Sequence, residues 1–227
     1  MNDATKERPI LFSGPMVRAI LDGQKTVTRR IVKPEPPEDW SHEGVEFYHP
    51  AIEDDDGMLD AGSEIFGAYS EDWGVKCPYG GPGERLWVRE AWGLSASKSV
   101  PPFVEGQWLN GEYDFVRRDV PHRFHYRADS HTGLEKRNGD GRWRPSIHMP
   151  RVASRIFLEI TEVRVERVQD ISEADAQAEG VKWPATGDHG RSHPTCIDAF
   201  ASLWDSINGV GSWEANPYVW AVGFKRI

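Results

Sequence analysis

The chain has 227 residues, 38% of them hydrophobic, with a formal net charge of -9 and a mean hydropathy of -0.60. That length suits one domain with a sizeable core, or one domain carrying large insertions. The acidic balance argues against a protein whose main task is coating nucleic acid, which would be basic, and points instead to a local basic pocket for a small or single-nucleotide ligand. Two cysteines, Cys77 and Cys196, form neither a disulfide framework nor a metal-ligand pattern, and they fit a reducing cytoplasm. Met1 to Arg8 is charged without an apolar stretch, and no apolar run of about 18 residues occurs, so a soluble protein with no membrane span is expected. The ten tryptophans predict an aromatic-rich core, and the low hydrophobic content predicts that part of the chain is polar loop.

Pro9 to Phe12 reads as a short first strand. Ser13 can cap the helix that follows, Pro15 suits its first turn, and Val17, Ile20 and Leu21 make one apolar face. Gly23 ends it. Thr26, Val27, Thr28, Ile31 and Val32 are β-prone, and Pro34 closes that strand. Lys25 therefore sits just past a helix end, with Thr28, Arg29 and Arg30 on the strand after it. One reading is an edge strand with a solvated basic face. The other is a site for an anionic or nucleobase-like ligand.

From residue 34 to 82 the periodicity breaks down, with Pro34, Pro36, Pro37, the acidic run Glu53 to Asp56 and many glycines. This reads as a long insertion, ordered in part by Trp40, Phe47, Tyr48 and Trp73. Pro82-Gly83 is a turn. Leu86 and Val88 then alternate with Trp87 and Arg89, as in a strand with one face in the core. Trp87 is either core packing or a stacking surface for a base. Residues 95 to 121 form a second polar insertion. Phe124 to Tyr126 reads as a strand, followed by a Gly-rich region to Gly141. His122 and His125 lie three apart, which on a strand puts them on opposite faces, and no metal site is expected.

Ile156, Leu158 and Ile160 share one parity and Val163 and Val165 the other, so a bulge or bend is expected near Thr161-Glu162. Asp170 to Gly180 holds a short helix capped by Ser172, with Asp175 three residues on and Gly180 as its stop. Glu179 is then its last residue, where the negative end of the helix disfavours a carboxylate. Breaks of a local rule gather at functional sites. A Gly- and His-rich loop from Trp183 to Pro194 carries His189 and His193. Thr195 caps an amphipathic helix with the stripe Ile197, Phe200, Leu203, Trp204 and Ile207, stopped by Asn208-Gly209. Tyr218 to Phe224 is the last strand, expected to close a barrel, with Trp220, Val222 and Phe224 on one face.

The residues Gly23, Lys25, Thr26, Thr28 and Arg30, a Gly-x-Lys-Thr-x-Thr-x-Arg pattern after a short helix, resemble the signature of the ASCH domain, a member of the PUA-like β-barrel group. The strand Gly83 to Glu90 is similar to that of ASCH proteins of phages and prophages. Ala176-x-x-Glu179-Gly180 resembles the helix end at which N4-acetylcytidine amidohydrolase-type ASCH enzymes carry an acidic residue. The resemblance implies an α+β fold: a small mixed β-barrel of about five to six strands with short flanking helices. Over a single domain spanning 1–227, the insertions at about 34–82 and 95–121 have no counterpart in the smallest ASCH enzymes.

The resemblance also implies a lysine-threonine-glutamate triad of Lys25, Thr28 and Glu179. A desolvated lysine beside Arg29 or Arg30 would hold its proton loosely and could take one from Thr28; the threonine would attack an amide carbonyl, and Glu179 would protonate the leaving amine. For this, the strand must begin after Lys25, because on a regular strand Lys25 and Thr28 face opposite ways. The expectation is a cofactor-free amidohydrolase acting on an N-acylated nucleoside or nucleobase such as N4-acetylcytidine. Arg29, Arg30, Trp87, Arg89 and Glu90 would bind substrate. The alternative, served by the same residues, is an RNA- or DNA-binding module that recognises a modified or unpaired base. Ribonuclease activity fits less well, because no histidine is tied to the signature.

Overall fold

The computed structural model describes residues 6–37, 40, 44–53, 56–71, 73–96, 122–129, 143–181 and 195–227. The second insertion beyond residue 96, the Gly-rich region to Gly141, and the loop with His189 and His193 lie outside the described residues. Among those described, the fold is α+β and dominated by sheet.

The first strand, β1, spans Glu7–Leu11, and α1 spans Gly14–Leu21. Gly23 takes a φ of 71°, and its N–H returns to the Ile20 carbonyl, which ends the helix where expected. β2 is Val27–Ile31. The first insertion is more regular than its composition suggests. It holds β3 (Val45–Tyr48), β4 (Ala51–Glu53), β5 (Leu59–Ala61), β6 (Ile65–Tyr69) and β7 (Gly74–Lys76). These pair as a three-stranded sheet, β3-β6-β7, and a separate hairpin, β4-β5. Ring contacts account for part of this order: Phe47 meets Phe66 at 5.0 Å, Tyr48 meets Tyr69 at 4.5 Å, and Trp40 meets both Trp73 and Tyr218 within 6 Å. Such short strands carry no legible alternation, so the aromatic pairs were the better signal.

β8 is Arg85–Arg89, β9 is Trp92–Ala96 and β10 is His122–Tyr126; β9 and β10 pair with each other. β11 runs Phe157–Arg167, α2 is Glu173–Ala178, α3 is Cys196–Asn208 and β12 is Tyr218–Arg226. The expected bulge is present. Ile160 pairs Phe224 and Glu162 pairs Gly223, which leaves Thr161 as the extra residue. Leu158, Ile160, Val163 and Val165 can thus all be buried despite their mixed parity.

The five-stranded sheet has the order β1-β8-β11-β12-β2. β12 does not close a barrel: it lies between β11 and β2, and β1 and β2 are the sheet's two ends among the described residues. The reason is visible in its burial. Residues 218 to 224 are all buried, so β12 needs a hydrogen-bonded partner on each edge and packing on both faces, which makes it an interior strand. One further difference concerns α3. Phe200 and Trp204 are buried, but Ile207 in the same stripe is 52% exposed, in the last turn before Gly209 ends the helix.

The chain divides into two compact units, one made of residues 1–8, 19–86 and 158–227 and the other of residues 9–18 and 87–157. In the first, Val168, Ile171, Ala176, Cys196, Phe200, Trp204 and Val219 form a core where α2 and α3 pack on the sheet. In the second, Trp92, Met149 and Ala153 form a smaller core with Phe124 and Tyr126 against it. No described helix is long and apolar enough to cross a membrane.

Candidate active site

The sequence 23–28 is arranged by hydrogen bonds at both sides. The N–H groups of Gln24 and Lys25 both return to the Ala19 carbonyl, and Thr26 N–H donates to the Ala178 carbonyl at the end of α2. Lys25 and Glu179 form an isolated antiparallel bridge, and the strand β2 begins only at Val27. The strand thus starts after Lys25, as the triad geometry requires. Gly180 makes the close approach possible. Its φ is 81°, and a Cβ there would lie 2.8 Å from the Ala19 Cβ and 3.1 Å from the Lys25 Cβ.

Lys25 is 1% exposed. Its Nζ donates to the Val27 carbonyl at 2.8 Å, the Glu179 carbonyl at 2.9 Å and Glu179 Oε2 at 2.5 Å. Burial lowers its pKa below the usual lysine range; Glu179 opposes that, while Arg30 and Arg29 reinforce it. The Glu179 carboxylate, at the C-cap of α2, is 5% exposed. The unfavourable end of a six-residue helix is offset here by two cations, Lys25 on one oxygen and Arg29 Nη1 at 3.4 Å on the other.

Thr28 is 2% exposed and pairs with Val222. The carbonyl that Lys25 touches belongs to Val27, so the amine sits at the peptide bond leading into Thr28. Alternation along β2 puts Thr28 and Arg30 on one face and Arg29 on the other. The two arginines therefore point to opposite faces. Arg29 is turned to carboxylates: Nε and Nη2 meet Glu166 Oε1 at 3.0 and 2.6 Å, and Nη2 meets Asp175 Oδ2 at 3.0 Å. Its side chain is fully buried. Arg30 lies near enough to act electrostatically on Lys25 and on Tyr79, a half-buried phenol whose pKa is raised by burial and opposed by Arg30.

Trp87, Arg89 and Glu90 belong to the second unit. The Arg89 guanidinium lies 5.1 Å over the Trp87 ring, and its Nε donates to the Met149 carbonyl at 3.1 Å. Glu90 is 1% exposed and receives Arg155 Nε at 2.8 Å and Nη2 at 3.1 Å. Arg155 in turn meets both oxygens of Asp129 at 2.8 Å and stacks 3.9 Å from the Tyr126 ring. Burial raises the Glu90 pKa, with Arg155 opposing. Glu90 is thus held by an internal fork.

No protein-family model, curated protein or solved structure matches this chain. Sequence reasoning brought Lys25 and Glu179 to one place. It missed Glu166, Asp175 and Arg164 around Arg29, and Arg155 beneath Glu90. The only early sign was Asp175, noticed as a capping residue; its carboxylate accepts from Arg29 while its N–H donates to the capping Ser172 Oγ. Glu166 becomes a partner of Arg29 only through strand order. Arg29 pairs Ala221 and Ala221 pairs Arg164, so the small alanine between two arginines leaves room for the side chains above it.

Proposed function

We propose that this chain is an ASCH-type, PUA-like protein and an amidohydrolase that works without a metal on a small N-acylated nucleoside or nucleobase such as N4-acetylcytidine. The observation that supports it most is the 2.5 Å contact between Lys25 Nζ and Glu179 Oε2, between two groups almost fully removed from water and joined from opposite ends of the sequence. A buried lysine with a lowered pKa gives up its proton more readily than a solvated one, and a carboxylate beside it can take that proton. When the proton sits on Glu179, the pair presents a neutral amine and a carboxylic acid at once, which are the base and the acid that amide cleavage needs.

The steps then balance. Lys25 takes the Thr28 hydroxyl proton as its oxygen bonds to the acyl carbon. Glu179 gives its proton to the departing amine as the C–N bond breaks, which leaves an acyl-threonine, a lysine ammonium and a glutamate carboxylate. Water then attacks the ester and passes a proton to Glu179. Lys25 returns its proton to the Thr28 oxygen as the acid leaves, and the resting pair is restored. Arg30, on the same face as Thr28, supplies positive charge for the oxyanion.

Incubation with N4-acetylcytidine should release cytidine and acetate in equal amounts, and Thr28→Ala and Lys25→Ala should each abolish the release. If the wild-type chain releases nothing but retards RNA or DNA in a gel, the base-binding reading replaces this one. The stacked Trp87 and Arg89 would then be the first residues to substitute.

A further inference from the structure

We propose that Arg29 is a positioning residue and not a substrate ligand: fixed by Glu166 and Asp175, it takes up one oxygen of the Glu179 carboxylate and so sets how firmly the other oxygen holds the proton of Lys25. The use of this role rests on the hydrolase reading; its test does not.

The geometry leaves Arg29 little else to do. Nε, Nη1 and Nη2 all point at carboxylates, and its side chain is fully buried, with the guanidinium carbon 6.0 Å from the centre of the Phe200 ring on α3. A guanidinium does not give up its proton in a protein, so this is a permanent positive charge at a fixed position. Lys25 is different. Unlike the arginines it is a cation whose proton can move, and the charges acting on it are Glu179 from the end of α2 and Arg29 and Arg30 from β2.

Two carboxylates decide where the Arg29 charge falls. Glu166 on β11 takes Nε and Nη2, and Asp175 on α2 takes Nη2, which leaves Nη1 to reach Glu179 Oε1 at 3.4 Å, a longer and weaker hydrogen bond than the others. Arg164 on β11 backs the same carboxylates, with Nε 3.4 Å from Glu166 Oε2 and Nη2 3.2 Å from Asp175 Oδ2, and pairs with Glu162 beyond them. The clamp thus shares the Arg29 charge among three anions. More of it on Glu179 would loosen the lysine proton, and less would tighten it.

The test follows the Lys25 side chain itself, by titrating the full-length protein with isotope-labelled lysine and assigning the Lys25 signal by its loss in Lys25→Gln. In Arg29→Met the Lys25 titration should move to higher pH, because Glu179 then bears on it uncompensated. In Glu166→Gln and in Asp175→Asn it should move to lower pH, because an anion has gone while Arg29 stays. Arg29→Lys should restore part of the shift. The pH profile of kcat should move in the same directions, with KM little changed. A Lys25 titration unmoved in these variants, or displaced with the opposite signs, overturns the proposal. Should Arg29→Met lose its far-UV circular dichroism, the two carboxylate variants decide the matter alone. Absence of turnover in the wild-type protein would remove the hydrolase reading and leave the titration result standing.

Discussion

Glu179 in the first unit and Glu90 in the second are both buried carboxylates met by cations, yet they offer opposite chemistry. Glu90 faces Arg155, which cannot release its proton; the hydrogen bonds and charges of Glu90 and Asp129 push the Arg155 pKa up further, even against burial. Both hydrogen bonds of that fork are near ideal in length, and the stack on Tyr126 holds the guanidinium flat. Glu179 faces Lys25, whose proton is already loosened by burial. Its second cation, Arg29, is shared with two other anions. One region is a closed ion pair that organises a small core. The other sets a lysine whose pKa is lowered by burial against its carboxylate. Burial of a charge is common to both, and the identity of the cation separates structure from chemistry.

The sharpest way to test this contrast is to remove each cation. Lys25→Met should lower any turnover by about a hundredfold or more, the usual contribution of a general base, measured as initial rate of acetate release. The same variant should change the pH dependence of stability. Because the Lys25 pKa is lowered on folding from a model-peptide value of 10.5, the unfolded chain binds this proton more tightly. Wild-type stability from this group therefore rises with pH up to about 10.5, and Lys25→Met should lack that rise in urea unfolding.

Arg155→Met should cost about 3 kcal/mol in urea unfolding at neutral pH, since it leaves Glu90 buried without its fork. Here the sign of the pH effect is reversed. The Glu90 pKa is raised on folding above 4.5, so its contribution is fully present below that pH and is lost as pH rises through the folded value. The stability gap between the variant and wild type should narrow in acid. If acid leaves the gap unchanged, Glu90 is not the group responsible.

Gly180→Ala alters the first region without touching a charge. It should cost about 2 kcal/mol for a side chain in the left-handed region. The new methyl group also presses on Lys25, so turnover should fall more than Tm does. The smallest effect is expected at Asp129→Asn. This carboxylate is half exposed, so its removal should change stability by about 0.5 kcal/mol and lose even that in high salt.

How much of this was legible beforehand varies with the range of the interaction. Ser172 and Thr195 as caps, Gly23 and Gly180 as stops, and the bulge at Thr161 are local, and each follows from a few neighbouring residues. The strands between residues 45 and 76 were hidden, because runs of three to five residues carry too little alternation to read. At the site, the helix end marked Glu179 through a broken local rule, and the resemblance joined it to Lys25.

What the amino-acid order determined by itself was therefore short-range: where helices start and stop, where a long strand must kink, and that Glu179 is unusual at its position. Tertiary structure alone decided that Glu166 and Asp175 are the carboxylates Arg29 meets, that Glu90 is closed by Arg155, and that β12 lies inside the sheet. Those outcomes depend on which strand lies beside which. Strand order is set by burial summed over the whole chain, and no single segment carries it.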